Sequence, residues 1–435
     1  MTYPKIPLAQ SIIEICLAKG VGHIVISPGS RNAPLTIGFA NHPGFTCYSI
    51  ADERCAAFFA MGIAQQIKKP VAVVCTSGSA LLNYYPAVAE AFYSQIPLVV
   101  ISADRPHDKI DIGDGQTIRQ ENVYANHILY NANLLEEASQ ENDRLINEAI
   151  NTSVTQKGPV HINAPFEEPL YETVGELFVR PTITEAVEEL PEQEDLAPFI
   201  GKWNAAKKKL VLVGVNDPNT IDRAIIEQLA NDPSVVVMTE TPANLHHEKF
   251  LGSIDTIITP FTHDDFEAWR PEILLTFGGM VVSKRVKAWL RKYAPAEHWH
   301  IDTLRAYDTF GALTKHFLAD ANVFLNDLLS KTQPIESDYN QKAQELKAFR
   351  KVKHDAYLAK VPFSDLKAFD TILPALPQNS QLQISNSASI RYAQLFEMRG
   401  DVEVFCNRGT SGIDGSTSTA VGAAVGSGKE TVLIT

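Results

Sequence analysis

The sequence predicts an α/β protein built from parallel sheets flanked by helices, and three observations carry that expectation. A short β-branched run, a Gly or Ser turn and then a helical apolar pattern recur along the whole chain. Such alternation builds parallel sheets, because a parallel neighbour is reached only through a crossover. At 435 residues and 45% hydrophobic content, the chain is too long for one ordinary domain and carries apolar material for two or three cores.

The first strand candidates are His23–Ser27, Phe45–Ile50, Val71–Thr76, Leu98–Ala103 and Val160–Ala164, which define a domain over residues 1–180. The acidic, proline-punctuated stretch Ile183–Pro198 reads as a linker. A second set, Leu210–Val215, Ser234–Thr239, Ile273–Phe277 and Trp299–Asp302, gives a middle domain over 195–335. A polar helical connector over Ser337–Lys360 leads to Gln381–Ser385, Val402–Cys406 and Thr431–Thr435, the strands of a third domain over 360–435.

A formal charge of −13 argues against general nucleic-acid or membrane-surface binding, although local basic clusters can still grip small anions. The 5 cysteines lie far apart without metal-like spacing and read as reduced, buried packing residues. No signal segment and no run of ~20 apolar residues is present, so a cytoplasmic location is expected.

Within this architecture Glu53 occupies the most informative position. It stands where Phe45–Ile50 turns into a helix whose Ala56, Phe59, Ala60 and Ile63 recur at helical spacing. That is the carboxyl end of a strand, where open α/β sheets bind ligands. A carboxylate there is expected to be buried and aimed; the plainer alternative is a first-turn acid that complements the helix dipole. The turn Ser27-Pro-Gly-Ser-Arg31 sets backbone N–H groups and Arg31 at a helix start, as a carboxylate cradle or as an ordinary turn with a solvated arginine. Arg105 follows Leu98–Ala103 in the same topological position, with Gln116 in the next loop. Ser283, Lys284 and Arg285 open a helix with positive charge, which opposes the dipole. Either a bound anion or a basic surface helix accounts for this. Arg391 lies four residues beyond Ser387, one helical turn away.

Other motifs fail on spacing. Gly426-Ser-Gly-Lys-Glu-Thr431 lacks the glycine spacing and the hydroxyl residue of a phosphate loop, and His246-His247-Glu248 lacks the spacing of a zinc protease and reads as a solvated patch. Gly113-Asp-Gly115 and Gly400-Asp401 read as turns.

Seven segments carry a resemblance that spans essentially the whole chain: Ser27-Pro-Gly-Ser-Arg-Asn-Ala-Pro34, Ala51-Asp-Glu-Arg54, Thr76-Ser-Gly-Ser-Ala80, Ser102-Ala-Asp-Arg-Pro106, Gln116-Thr-Ile-Arg-Gln120, Ser283-Lys-Arg285 and Asn407-Arg-Gly-Thr-Ser-Gly-Ile-Asp-Gly415. In this order they resemble the MenD family, the 2-succinyl-5-enolpyruvyl-6-hydroxy-3-cyclohexene-1-carboxylate synthases of menaquinone biosynthesis. The resemblance implies a thiamine-diphosphate-dependent transferase with pyrimidine-binding, central and diphosphate-binding domains in that order, assembled as a homodimer or homotetramer. Such an enzyme decarboxylates 2-oxoglutarate and adds the succinyl carbanion to isochorismate. By the resemblance, Glu53 hydrogen-bonds the aminopyrimidine ring from a dry pocket and favours the tautomer that activates the cofactor. Ser30, Arg31, Arg105, Gln116, Lys284 and Arg285 are assigned to isochorismate, and Ser387 and Arg391 to the succinyl carboxylate. Arg408 joins the substrate pocket. Ile413 becomes the wedge that holds the cofactor bent, the alternative being a buried core isoleucine.

The resemblance also implies Mg²⁺ or Mn²⁺ held by a Gly-Asp to Asn motif after a strand. The sequence stops at Thr435 inside the last strand candidate, so the metal ligands are expected beyond that residue. The third domain is therefore expected to be incomplete and the chain an inactive, truncated form. The alternatives are another thiamine-diphosphate-dependent 2-oxo acid decarboxylase or lyase, or a noncatalytic binding protein on the same fold.

Overall fold

The computed structural model describes residues 2–187 and 194–435, so the linker expected at Ile183–Pro198 lies partly outside the described residues. The chain divides into two compact units: Met1–Glu189 with Gly409–Leu433, and Leu190–Arg408 with Ile434–Thr435.

The first unit runs β1 (Tyr3–Pro4), α1 (Pro7–Ala18), β2 (His23–Ile26), α2 (Ala33–Asn41), β3 (Thr46–Ser49), α3 (Glu53–Ile67), β4 (Val71–Cys75), α4 (Ala80–Asn83), α5 (Tyr85–Ser94), β5 (Leu98–Asp104), β6 (Asn131–Asn133), α6 (Gln140–Thr155), β7 (Pro159–Pro165) and β8 (Thr173–Val174). Six strands pair in parallel in the order β3-β2-β4-β5-β7-β6. The β-branched and aliphatic residues of β4, β5 and β7 are buried on both faces, as a parallel sheet with helices on both sides requires. Leu8, Ile12 and Ile24 belong to one core, and Ala60, Ile63 and Val73 to the other. β1 and β8 form a separate antiparallel pair.

The second unit runs α7 (Ala197–Ala205), β9 (Lys209–Val213), α8 (Arg223–Asn231), β10 (Val235–Thr239), α9 (Ile254–Ile258), α10 (His263–Ala268), β11 (Ile273–Phe277), α11 (Lys284–Lys292), β12 (Glu297–Ile301), β13 (Lys315–Phe317), α12 (Ala321–Ser330), α13 (Tyr339–Leu358), α14 (Asp365–Ala375), β14 (Gln381–Ile384), α15 (Ala388–Ala393) and β15 (Glu403–Phe405). Its five-stranded parallel sheet has the order β10-β9-β11-β12-β13, and β14 pairs in parallel with β15. The expected polar connector is α13.

The chain then returns to the first unit with α16 (Ser416–Ser427), followed by β16 (Thr431–Ile434). α16 packs along α3 at a separation that excludes side chains at the crossing. A Cβ on Gly62 would stand 2.2 Å from the Thr419 carbonyl oxygen, and one on Gly422 would stand 2.0 Å from that of Phe59.

The expected strands form, with ends shifted by a residue or two. The short polar strands β6 and β13 were not anticipated, because Asn131–Asn133 and Lys315–Phe317 carry no apolar run. Three local expectations are corrected. β3 lies at the sheet edge and its ends are exposed, so the strand before Glu53 is not the apolar one expected. Cys47, on the edge strand β3, is half-buried, and Cys55, in the first turn of α3, is exposed, so neither is a buried packing residue. His247 is not a solvated patch: its ring packs 5.3 Å from that of Phe250 and its Nε2 lies 3.3 Å from Glu227. Gly426–Thr431 spans the end of α16, where Gly428 adopts φ +65° and its N–H returns to the Ala424 carbonyl at 3.0 Å, a left-handed helix stop.

Candidate active site

The start of α3 separates two roles that the sequence left open. Asp52 is the N-cap, its carboxylate accepting from the Cys55 N–H at 2.9 Å. Glu53 is thereby relieved of capping. Its Oε2 accepts only from Asn83 Nδ2 at 3.3 Å, and its Oε1 has no hydrogen-bond partner among the described residues. Glu53 is half-buried, not enclosed in the dry pocket expected of it. Its inner side faces the core: burial first, and then the Glu53 charge, push the Cys75 thiol pKa up. The same carboxylate contributes to raising that of the buried Tyr84, whose hydroxyl bridges Ser27 Oγ and the Val74 carbonyl at 3.0 Å each.

Gly415, at the N-cap of α16, sits against Phe58 of α3, where a Cβ would stand 2.1 Å from the ring. This sets the segment carrying Ile413 beside the helix that Glu53 opens. Ile413 is 76% exposed, which rules out the buried-core alternative and leaves an aliphatic side chain with no apolar cover. A half-free carboxylate and an uncovered aliphatic side chain are thus available for a ligand with polar and apolar parts.

Arg31 is not a solvated arginine. Only 4% exposed, it donates from Nη1 to the Phe166 carbonyl at 2.8 Å and from Nη2 to Glu168 at 3.3 Å. Burial first, and then the like charge of Arg105, pull its pKa below the ordinary value. Arg105 is half-buried, reaches the Gly115 carbonyl at 3.1 Å and leaves a solvent-inaccessible Nε without a partner. The two guanidiniums act on one another, one keeps an unmatched donor, and Glu168, Glu167 and Asp114 offset part of the charge. Ser30 and Gln116 are exposed beside these arginines, and the Gln116 carbonyl accepts from Ser77 Oγ at 3.0 Å.

In the second unit Lys284 and Arg285 are exposed in the first turn of α11, with Ser283 as N-cap. The N–H groups just ahead of this helix start are taken by a buried side chain. The buried carboxylate of Glu240 accepts from the Val282 and Ser283 N–H groups at 2.5 and 2.6 Å. Arg408, half-buried, is close enough to act electrostatically on both Glu240 and Lys287, and its Nη1 donates to Asn386 Oδ1 at 2.7 Å. Asn386 precedes Ser387, which is exposed at φ +67° as N-cap of α15, with Arg391 exposed one turn on. Arg408, Asn386 and the start of α11 thus share one polar region. Glu240 and Asn83 were missed by sequence reasoning, although Glu240 stands at a strand's carboxyl end as Glu53 does. Among the described residues no three His, Cys, Asp or Glu side chains come together as a metal site.

Glu240 makes a pH prediction. Burial, outweighing its two N–H bonds, raises its pKa from 4.5 to about 7. The folded state then holds a proton that the unfolded chain has lost, so stability is full below the unfolded value and declines as pH rises toward 7. The decline, measured relative to Glu240→Gln, should reach roughly 3 kcal/mol. Urea unfolding of both proteins at about pH 5 and about pH 7.5 checks this; parallel behaviour would contradict it.

Residues 6–126 match the family described as thiamine pyrophosphate enzyme, N-terminal TPP binding domain, and residues 186–384 match the middle domain of thiamine pyrophosphate enzymes. Over 435 residues the chain is 68% identical to the 2-succinyl-5-enolpyruvyl-6-hydroxy-3-cyclohexene-1-carboxylate synthase of Flavobacterium psychrophilum, covering 100% of this chain and 79% of that protein. The synthase of the same name from Flavobacterium johnsoniae is 66% identical, with 100% and 79% covered. That of Christiangramia forsetii is 53% identical, with 100% and 80% covered.

Proposed function

The chain belongs to the 2-succinyl-5-enolpyruvyl-6-hydroxy-3-cyclohexene-1-carboxylate synthase family of thiamine-diphosphate-dependent enzymes, and from that premise we propose that it decarboxylates 2-oxoglutarate and transfers the remaining four-carbon unit to isochorismate. The observation that carries the reading is the carboxylate of Glu53, freed from capping by Asp52 and left with a single partner. Thiamine diphosphate, when bound, supplies a nucleophilic carbon and an electron sink for decarboxylation. Glu53 would hold and return a proton at its carboxylate, opposite the cofactor's aminopyrimidine ring, and Ile413 would support the cofactor's fold by contact.

Arg31 and Arg105 would bind an isochorismate carboxylate. Glu168, the present partner of Arg31, has a side chain 67% exposed and is readily displaced. Ser30 and Gln116 would bind isochorismate beside Arg31 and Arg105, and Lys284 and Arg285 are assigned to an isochorismate carboxylate. Ser387, Arg391 and Arg408 would hold the distal carboxylate of 2-oxoglutarate. The division into pyrimidine-binding (1–180), central (195–335) and diphosphate-binding (360–435) domains, a homodimeric or homotetrameric state, and a cytoplasmic location all belong to this proposal. No helix of the described residues is long and apolar enough to cross a membrane.

The two substrates separate by kinetics. Each cationic side chain removed deletes a charge-assisted bond of about 1.5–3 kcal/mol, or roughly 10- to 100-fold in the step it serves. Arg391→Ala should slow release of carbon dioxide from 2-oxoglutarate measured without isochorismate. Arg31→Ala, Arg105→Ala and Lys284→Ala should leave that step near wild type and slow consumption of isochorismate. Slowed decarboxylation in Arg31→Ala with a normal Arg391→Ala would reverse the assignment.

A further inference from the structure

The first unit buries a second carboxylate that no step above uses. Glu90 lies inside α5 in the run Ala87-Val-Ala-Glu-Ala91, is 2% exposed, and among the described residues has neither a lysine nor an arginine within hydrogen-bond reach. Its two oxygens instead accept four hydrogen bonds. Ser94 Oγ and the Gly409 N–H donate to Oε1 at 2.7 and 2.6 Å, and the N–H and Oγ1 of Thr410 both donate to Oε2 at 2.7 Å. Three of these donors come from a segment more than 300 residues away in sequence.

Gly409 makes the approach possible. A Cβ there would stand 2.5 Å from the Glu90 carbonyl oxygen and 2.9 Å from the Ser94 nitrogen, both backbone atoms that cannot give way. Bonds to an ionised acceptor are about twice as strong as neutral ones, and a buried carboxylate deprived of its donors is costly. The segment from Gly409 to Gly415 is therefore held at both ends, by Glu90 at the first and by the Gly415–Phe58 contact at the second. Between them stands Ile413.

We infer that Glu90 is a positioning residue: it fixes the Gly409–Gly415 segment on α5 and so sets where Ile413 meets the cofactor. This rests on the proposed role of Ile413, but its structural half does not. An amide at position 90 presents an NH₂ to donors and keeps at most part of the network, so Glu90→Gln should free the segment without emptying the core. Gly409→Ala should free it while leaving Glu90 intact.

Hydrogen exchange on the cofactor-free protein tests the clamp directly. In both variants the Gly409 and Thr410 amides should exchange about 10- to 100-fold faster, while those of α1 and β5 keep wild-type protection. In the holoenzyme, Glu90→Gln should lower kcat by about 10-fold with little change in KM for 2-oxoglutarate, and the loss should vanish on an Ile413→Ala background. Unchanged exchange at Gly409 and Thr410 would overturn the clamp. Faster exchange with a kcat loss that adds fully to that of Ile413→Ala would overturn its action through Ile413. A wild-type holoenzyme that does not turn over 2-oxoglutarate would refute the proposed reaction, with the exchange result still deciding the clamp.

Discussion

Glu53→Gln in the cofactor-loaded enzyme is expected to slow proton exchange at the reactive carbon of thiamine diphosphate by about 10²- to 10⁴-fold, the usual worth of positioned acid–base assistance. The fold should survive, because the structure gives Glu53 one side-chain bond, to Asn83 at 3.3 Å, and leaves capping of α3 to Asp52. The neighbouring Asp52→Ala supplies the converse control. It removes the cap and should cost about 1 kcal/mol of stability while leaving exchange largely intact. Proton NMR of the exchange, with thermal unfolding of both variants, separates the chemical residue from the structural one. Equal exchange in Glu53→Gln and wild type would remove Glu53 from the mechanism.

The second large effect is expected from the glycines between α3 and α16. A side chain at Gly62 or Gly422 meets a backbone carbonyl at 2.2 or 2.0 Å, and neither helix can relieve that by turning a rotamer. Gly62→Val and Gly422→Val must push the helices apart and loosen contacts involving Phe59, Ile63, Ala420 and Ala423. A cost of about 3 kcal/mol is expected, at the upper end for overpacking. The damage should be local, with α16 amides losing protection while the strands β4 and β5 keep theirs. Hydrogen exchange on the two variants checks this; wild-type protection across α16 would show that the helices are not in the contact described.

Much of the fold was legible because parallel sheets write themselves as short, continuous apolar runs, and Ile273–Phe277 appears in the structure with the bounds its sequence suggests. What escaped was governed by long-range contacts. Asn131–Asn133 becomes a strand only because β7 offers it a ladder. The edge position of β3 depends on strand order and not on the composition of Phe45–Ile50. The same holds at the site. Arg31 was identified from its turn, but its burial against Phe166 and Glu168 follows from a segment some 135 residues away. The basic start of α11 was legible as a cationic helix end, but not the buried acid beside it. Glu240, which binds the Val282 and Ser283 N–H groups, has no sequence link to that helix. Glu90 carried a local signal, a lone acid among alanines on a buried helix face, whose meaning needed the distant loop.

The central claim is that this chain carries out carbon transfer from 2-oxoglutarate to isochorismate with Glu53 as its activating carboxylate. The most direct test follows 2-oxoglutarate labelled with ¹³C at C1 and, separately, at C2 through the cofactor-loaded enzyme in the presence of isochorismate. The account predicts that the C1 label leaves as carbon dioxide, that the C2 label appears in an adduct of the isochorismate skeleton, and that Glu53→Gln forms neither product at a comparable rate. Release of labelled carbon dioxide with no C2 label on the isochorismate skeleton, or undiminished product formation by Glu53→Gln, would contradict it.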